Sequence, residues 1–187
     1  MSPINRKRIQ IGHLYIITCA SSSAPLVYKL VLAAQTVGWD VCVILTPRAR
    51  NFVDVTLLEQ LTGHPVRSDY KHPDEPDVLP RADALIVFPA TFNTLNKWAL
   101  GISDTLAVGL LSEYTGLKLP IVAVPCFKTG GGLDTNPAFL RSIKMLRRYG
   151  VHVIYEPQIY PPKNQVPPPV MLETLERVIA QKRNSLE

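Results

Sequence analysis

Short, fully apolar runs alternate with amphipathic stretches along most of the chain, and this alternation limits the folds open to it. Leu14–Thr18, Val41–Leu45, Ala84–Phe88, Ile121–Val124 and Val151–Tyr155 are rich in β-branched and aromatic residues and too short for helices. Such runs are strands buried on both faces. Between them lie stretches with helical periodicity. In Pro25–Val37, the residues Leu26, Leu30, Ala33 and Val37 keep one face apolar, with Pro25 suited to the first turn and Gly38 to the end. Arg48–Gly63 is mostly helical, and helices are also expected over Thr94–Leu100, Thr105–Tyr114, Pro137–Tyr149 and Val170–Gln181. A strand followed each time by a helix predicts an α/β fold, a parallel sheet with helices on both faces.

The 187 residues suit one domain, running from a basic N-terminal extension over 1–10 to a C-terminal helix within 170–183. Glu156–Pro169 carries six prolines without periodicity and reads as an extended arm. An apolar fraction of 47% excludes a disordered chain. Three cysteines, Cys19, Cys42 and Cys126, form no CxxC pair, which argues against a disulfide framework or a zinc site and fits a reducing cytoplasm. No apolar run approaches the roughly 20 residues that span a bilayer.

A net charge of +5 hints at a polyanionic partner. The excess is dispersed, however, over Arg6–Arg8, over Lys182 and Arg183, and over Arg141, Lys144, Arg147 and Arg148 at helical spacing. Aromatic residues are not interleaved with these cations, so the composition argues against nucleic-acid binding.

In a parallel sheet of this kind, ligands bind beyond the C-terminal strand ends. The loops to examine for chemistry are therefore Cys19–Ser23, Thr46–Arg48, Pro89–Thr94 and Pro125–Gly132. The first offers the hydroxyls Ser21, Ser22 and Ser23 ahead of a helix, and the third offers Thr91, Asn93 and Thr94 in the same setting. Hydroxyls at a helix N-terminus suit an anion, and a single capping serine explains the first loop equally well. Neither GxGxxG nor GxxxxGK[ST] occurs, against an ordinary dinucleotide or P-loop site.

The segment Pro89-Ala90-Thr91-Phe92-Asn93-Thr94-Leu95, continued by Gly101-Ile102-Ser103-Asp104-Thr105-Leu106, resembles the Pro-Ala-Ser-Ala-Asn-Thr segment of the homo-oligomeric flavin-containing cysteine decarboxylases. That family includes phosphopantothenoylcysteine and peptidyl-cysteine decarboxylases. Val43–Ala49 with Phe52, Leu119–Pro125 and Asn136-Pro137-Ala138 through Gly150 are similar to its other segments, in order. The resemblance implies a three-layer, flavodoxin-like and Rossmann-like doubly wound sheet that binds FMN and assembles as trimers or multiples of three. It implies cofactor contacts at Ser22, Ser23, Thr46, Thr91, Asn93 and Thr94, and Phe92 is an aromatic candidate for the flavin ring.

The catalytic features of the family are altered. Its histidine position before the third strand falls on Glu75, with His72 nearby, and its Asp-Asn pair appears as Asp104-Thr105. Its clamp motif matches Pro125–Gly132 only at the proline. His72 is a candidate acid or base, and Cys126 a candidate nucleophile or flavin contact, each against a bland reading as a solvated loop residue or a packed thiol. Asp104, Phe127 and Lys128 are candidate substrate contacts, and no metal site is expected. The implied activity is flavin-dependent oxidative decarboxylation of a small thiol-bearing acid. A non-catalytic FMN-binding regulatory or assembly subunit and a flavin prenyltransferase-like enzyme are the alternatives.

Overall fold

The computed structural model describes residues 11–72 and 74–184. The basic extension over 1–10 lies outside the described residues. In chain order the elements are β1 (Gly12–Thr18), α1 (Val27–Thr36), β2 (Trp39–Leu45), α2 (Val55–Thr62), β3 (Ala84–Ala90), α3 (Phe92–Ala99), α4 (Leu106–Gly116), β4 (Ile121–Pro125), α5 (Pro137–Arg148), β5 (His152–Val153) and α6 (Pro168–Asn184). The five strands form one parallel sheet in the order β2-β1-β3-β4-β5. This is the flavodoxin-like order, which reverses direction between β1 and β3.

Two-residue periodicity divides the strand side chains between two cores. Leu14, Ile16, Val41, Val43, Ala84 and Ile86 face one way, with Leu30 of α1 and Leu175 of α6. Tyr15, Ile17, Cys42, Ile44, Leu85 and Val87 face the other, with Trp98 of α3, Leu111 of α4 and Phe139 of α5. Every residue of β3 is buried, as a central parallel strand requires.

Helix ends follow local chemistry. Asp54 caps α2 by accepting from Leu57 N, and Gly63, at φ 72°, ends it in the left-handed conformation. Asn136 caps α5 by accepting from Ala138 N, Pro137 occupies its first turn, and Arg147 and Arg148 sit in its last.

The structure departs from the expected boundaries where hydrogen bonds beyond the local sequence decide. The first expected helix opens with a separate 3₁₀ turn, Ala24–Leu26, and the second divides into a 3₁₀ segment, Pro47–Phe52, and α2. β3 runs on through Pro89 to Ala90, because Cys19 N donates to the Pro89 carbonyl and Cys126 N to the Ala90 carbonyl. α3 accordingly begins at Phe92 rather than Thr94. β5 keeps only two residues. Past Ile154 the chain leaves the ladder, and Glu156 N donates to Asn164 Oδ1 instead.

The proline-rich segment after β5 is not an extended arm. It turns back on itself, with Ile159 N and Tyr160 N donating to the Glu156 carbonyl and Gln165 N to the Tyr160 carbonyl. The buried Asn164 holds it to the strand ends, its Nδ2 donating to the carbonyls of Pro125 at 2.8 Å and Ile154 at 2.9 Å. No described helix is long and apolar enough to cross a membrane.

Candidate functional site

The ends of β1, β2 and β3 meet at the reversal of strand order and open a cleft there. Their positions are locked by one backbone and one side-chain hydrogen bond. Thr46 N donates to the Thr18 carbonyl at 3.0 Å, and Thr18 Oγ1 donates to the Phe88 carbonyl at 2.9 Å. The cleft encloses about 540 Å³, within the range of small-molecule sites. Its walls are Ala20 from the β1 loop, Thr46, Pro47 and Arg48 after β2, Thr91, Asn93, Thr94 and Lys97 from α3 and its start, and Thr105 and Val108 at the start of α4.

Hydroxyl groups form the inner wall. Thr91 occupies the N-cap position of α3, yet its side chain makes no capping bond. Its Oγ1 instead lies 3.1 Å from Thr94 Oγ1, which receives the Cys19 thiol at 3.3 Å. Burial pushes the Cys19 thiol up from its ordinary value, so it stays protonated and serves this network as a weak donor. Thr105 at the start of α4 likewise makes no side-chain cap, and its carbonyl accepts from Tyr70 Oη at 3.2 Å. Tyr70 thereby holds the loop after α2 against Gly109, where a Cβ would collide with the Tyr70 hydroxyl.

Two cations line the cleft and no carboxylate does among the described residues. Lys97 Nζ is bound by Asp104 Oδ2 at 2.5 Å. Arg48 is exposed and carries no ion pair among the described residues. Thus the hydroxyls at Thr46, Thr91 and Thr94 and the amide at Asn93, all expected as cofactor contacts, come together on one cleft. Arg48 and Lys97 are additions the motif reading passed over as ligand groups. Their signal was present in the spacing: Lys97 lies one helical turn past Thr94, and Arg48 two residues past Thr46.

The remaining candidates lie elsewhere. Ser22 and Ser23 face the turned-back segment: Ser22 Oγ accepts from Lys163 Nζ at 2.6 Å and Ser23 Oγ from Gln165 Nε2 at 3.4 Å. Phe92 is half-buried and meets Phe127 edge-on at 6.5 Å. Phe127 is buried among Phe139 and Tyr155, with ring centroids at 4.7 and 6.0 Å. Lys128 is exposed at the start of the glycine-rich turn, whose Gly130 and Gly132 amides donate to the Asp134 carboxylate at 2.7 and 3.1 Å. Those amide donors hold the Asp134 carboxyl below its ordinary value. His72 projects from the loop with its side chain 69% exposed, 3.4 Å from Asp74. Cys126 is buried with its thiol against the Asn164 carbonyl at 3.6 Å, and burial pushes it up as well.

A family model described as Flavoprotein matches residues 4–171. The chain belongs to the flavoprotein family. Among curated relatives of this family, a probable phosphopantothenoylcysteine decarboxylase of Streptococcus mutans is 28% identical over 60% of this chain and 65% of its own length. The chain spans only 36% and 34% of the bifunctional coenzyme A biosynthesis proteins of Borreliella burgdorferi and Bacillus subtilis that it also matches. Among solved structures, the FMN-dependent cysteine decarboxylase SpaF is 25% identical and superposes with a TM-score of 0.64 over 79% of this chain and 83% of its own. The cypemycin decarboxylase CypD is 23% identical with a TM-score of 0.72, over 95% of this chain and 98% of its own, and shows the shared fold. This flavoprotein is therefore decarboxylase-like in sequence and architecture.

Proposed function

We propose that the chain binds FMN in the cleft between the ends of β1, β2 and β3. The observation that carries this reading is the convergence of Thr46, Arg48, Thr91, Asn93 and Thr94, drawn from two different loops, on one cleft of about 540 Å³. Its donor chemistry fits the group: hydroxyls and a guanidinium suit a phosphate, Asn93 suits ribityl hydroxyls, and Ala20 and Val108 offer apolar wall. Ser22 and Ser23 are engaged by Lys163 and Gln165, so the reading rests on the threonines and Asn93.

The reaction proposed is oxidative decarboxylation of a small thiol-bearing acid. When bound, FMN supplies a two-electron acceptor for such an oxidation. The chain's own part is to hold and orient. Lys97, held by Asp104, gives the cleft a fixed polar wall beside Thr105, and Asp104, Phe127 and Lys128 are the proposed substrate contacts outside that lining. Assembly as a homo-oligomer, a trimer or multiple of three, and residence in a reducing cytoplasm belong to the same reading. The latter is supported by three free cysteines that are all buried.

A second reading is favoured by a specific observation. Among the described residues that line the cleft, none is a histidine, cysteine or carboxylic acid, and Lys97 is neutralised by Asp104. This is the composition of a cofactor holder without its own acid or base, so a non-catalytic FMN-binding subunit is the alternative.

The purified protein is expected to be yellow, with flavin absorption near about 370 and 450 nm, and to release FMN on denaturation, identified by mass. Colourless protein that also refuses added FMN removes both readings. Carbon dioxide release from cysteine-ended substrates separates the enzyme from the holder, and alkylation of the flavin by a prenyl phosphate points instead to a prenyltransferase.

A further inference from the structure

The two cations of the cleft are electrostatically unequal. Lys97 is spent on Asp104 at 2.5 Å, and the pair contributes no net charge to the cleft. Among the described residues Arg48 has neither an ion pair nor an intramolecular hydrogen bond, so of the two lining cations its charge is the one left to a ligand. Its backbone, in contrast, is fixed. Thr46 N is bound to Thr18, Ala49 N donates to the Thr46 carbonyl at 2.8 Å, and the Ala49 side chain is fully buried. Arg48 thus lines the cleft from a rigid root together with Thr46, and the linked Thr91 and Thr94 hydroxyls line the same cleft.

We infer that Arg48 is the phosphate-reading residue of this cleft, gripping the terminal phosphate monoester of the bound flavin together with Thr46, Thr91 and Thr94. A guanidinium offers paired N–H donors that match two oxygens of one phosphate, and hydroxyl donors supply the remainder. A carboxylate, with one charge and two oxygens, would leave most of these donors unused. A neutral flavin lacking the phosphate would leave Arg48 with nothing to bind. On this basis the residue sets the choice between FMN and riboflavin rather than the affinity for the ring system. The inference rests on the flavin reading above and goes beyond it by assigning the source of phosphate selectivity.

The test measures dissociation constants of FMN and of riboflavin, by quenching of flavin fluorescence, for the native chain and for Arg48→Ala and Arg48→Lys. Arg48 is exposed, so neither substitution disturbs packing, and thermal melting of the flavin-free proteins checks this. The native chain is expected to prefer FMN. Arg48→Ala should weaken FMN by about 10- to 100-fold, the loss of a charge-assisted contact, and leave riboflavin unchanged. Arg48→Lys should recover part of the loss by keeping the charge without the fork. An FMN-to-riboflavin ratio unmoved by Arg48→Ala, or both flavins weakened equally, overturns the assignment while leaving the flavin reading standing. A native chain that binds neither flavin overturns both.

Discussion

At the scale of single residues, burial decides which of the polar groups are chemically available. Cys126 ends β4 at the ligand side of the sheet, and from its position alone a nucleophile and a packed thiol are both open readings. In the fold it is 3% exposed and its thiol is held protonated by burial. Cys42 is pushed up to about 12 for the same reason, with Asp40 adding to the shift. The sign of the pH dependence follows. An acid whose value is raised in the fold contributes stability that is complete below its unfolded value and is lost as the pH rises toward the folded one. All three thiols should resist a charged disulfide reagent at neutral pH and react together only on unfolding, and stability should fall as the pH climbs past about 8.5, the ordinary thiol value. Thiol titration with and without denaturant, and urea melts at pH 7 and pH 10, check both. A fast-reacting native thiol would show that burial does not govern these groups.

At the scale of elements, the turned-back segment after β5 shows where sequence reading stops. Six prolines without periodicity make Glu156–Pro169 read as lacking helix and strand, which holds only as far as Pro167, since α6 already starts at Pro168, and composition says nothing of what the segment touches. Asn164 settles that. Fully buried and at φ 55°, a backbone region that asparagine tolerates, it bonds both Pro125 and Ile154 through Nδ2 and accepts from Glu156 N. Asn164→Ala leaves these groups buried and unpaired, and should cost about 2–4 kcal/mol in urea unfolding. Since the same segment carries Lys163 and Gln165 to Ser22 and Ser23, the variant should also release the β1 loop, read as faster amide exchange at Ser22 and Ser23. The helix boundaries carry a similar lesson. Pro47 marks the start of a helical segment, yet the division at Val53 and Asp54 depends on the Asp54 cap and on Tyr28 Oη, which accepts from Asp54 N at 2.6 Å. That partner lies 26 residues away.

At the scale of the whole molecule, the sheet order creates the cleft, because the reversal between β1 and β3 leaves room that neighbouring helices on opposite faces do not fill. A ligand binding there contacts the ends of three strands and should stabilise the entire fold by mass action, about 2.7 kcal/mol at a hundredfold excess over its dissociation constant. FMN added to flavin-free protein is therefore expected to raise the melting temperature in a concentration-dependent way, with riboflavin raising it less. A melting temperature indifferent to FMN would mean that the folded chain does not bind it. What the sequence by itself determined is the architecture: short apolar runs rich in β-branched residues, alternating with helices, read as the strands of a parallel sheet, although the last run keeps only the two residues of β5. The hydroxyls of the third loop were legible for the same reason, since they follow a strand and open a helix within a few residues of chain. What only the tertiary structure decided is company. Arg48 is left as the open charge of the cleft lining because Asp104 takes Lys97, and Ser22 meets the turned-back segment, which Asn164 anchors, through Lys163 from 141 residues away. Local periodicity records which side of an element is buried; it carries no record of which distant charge will arrive to satisfy another.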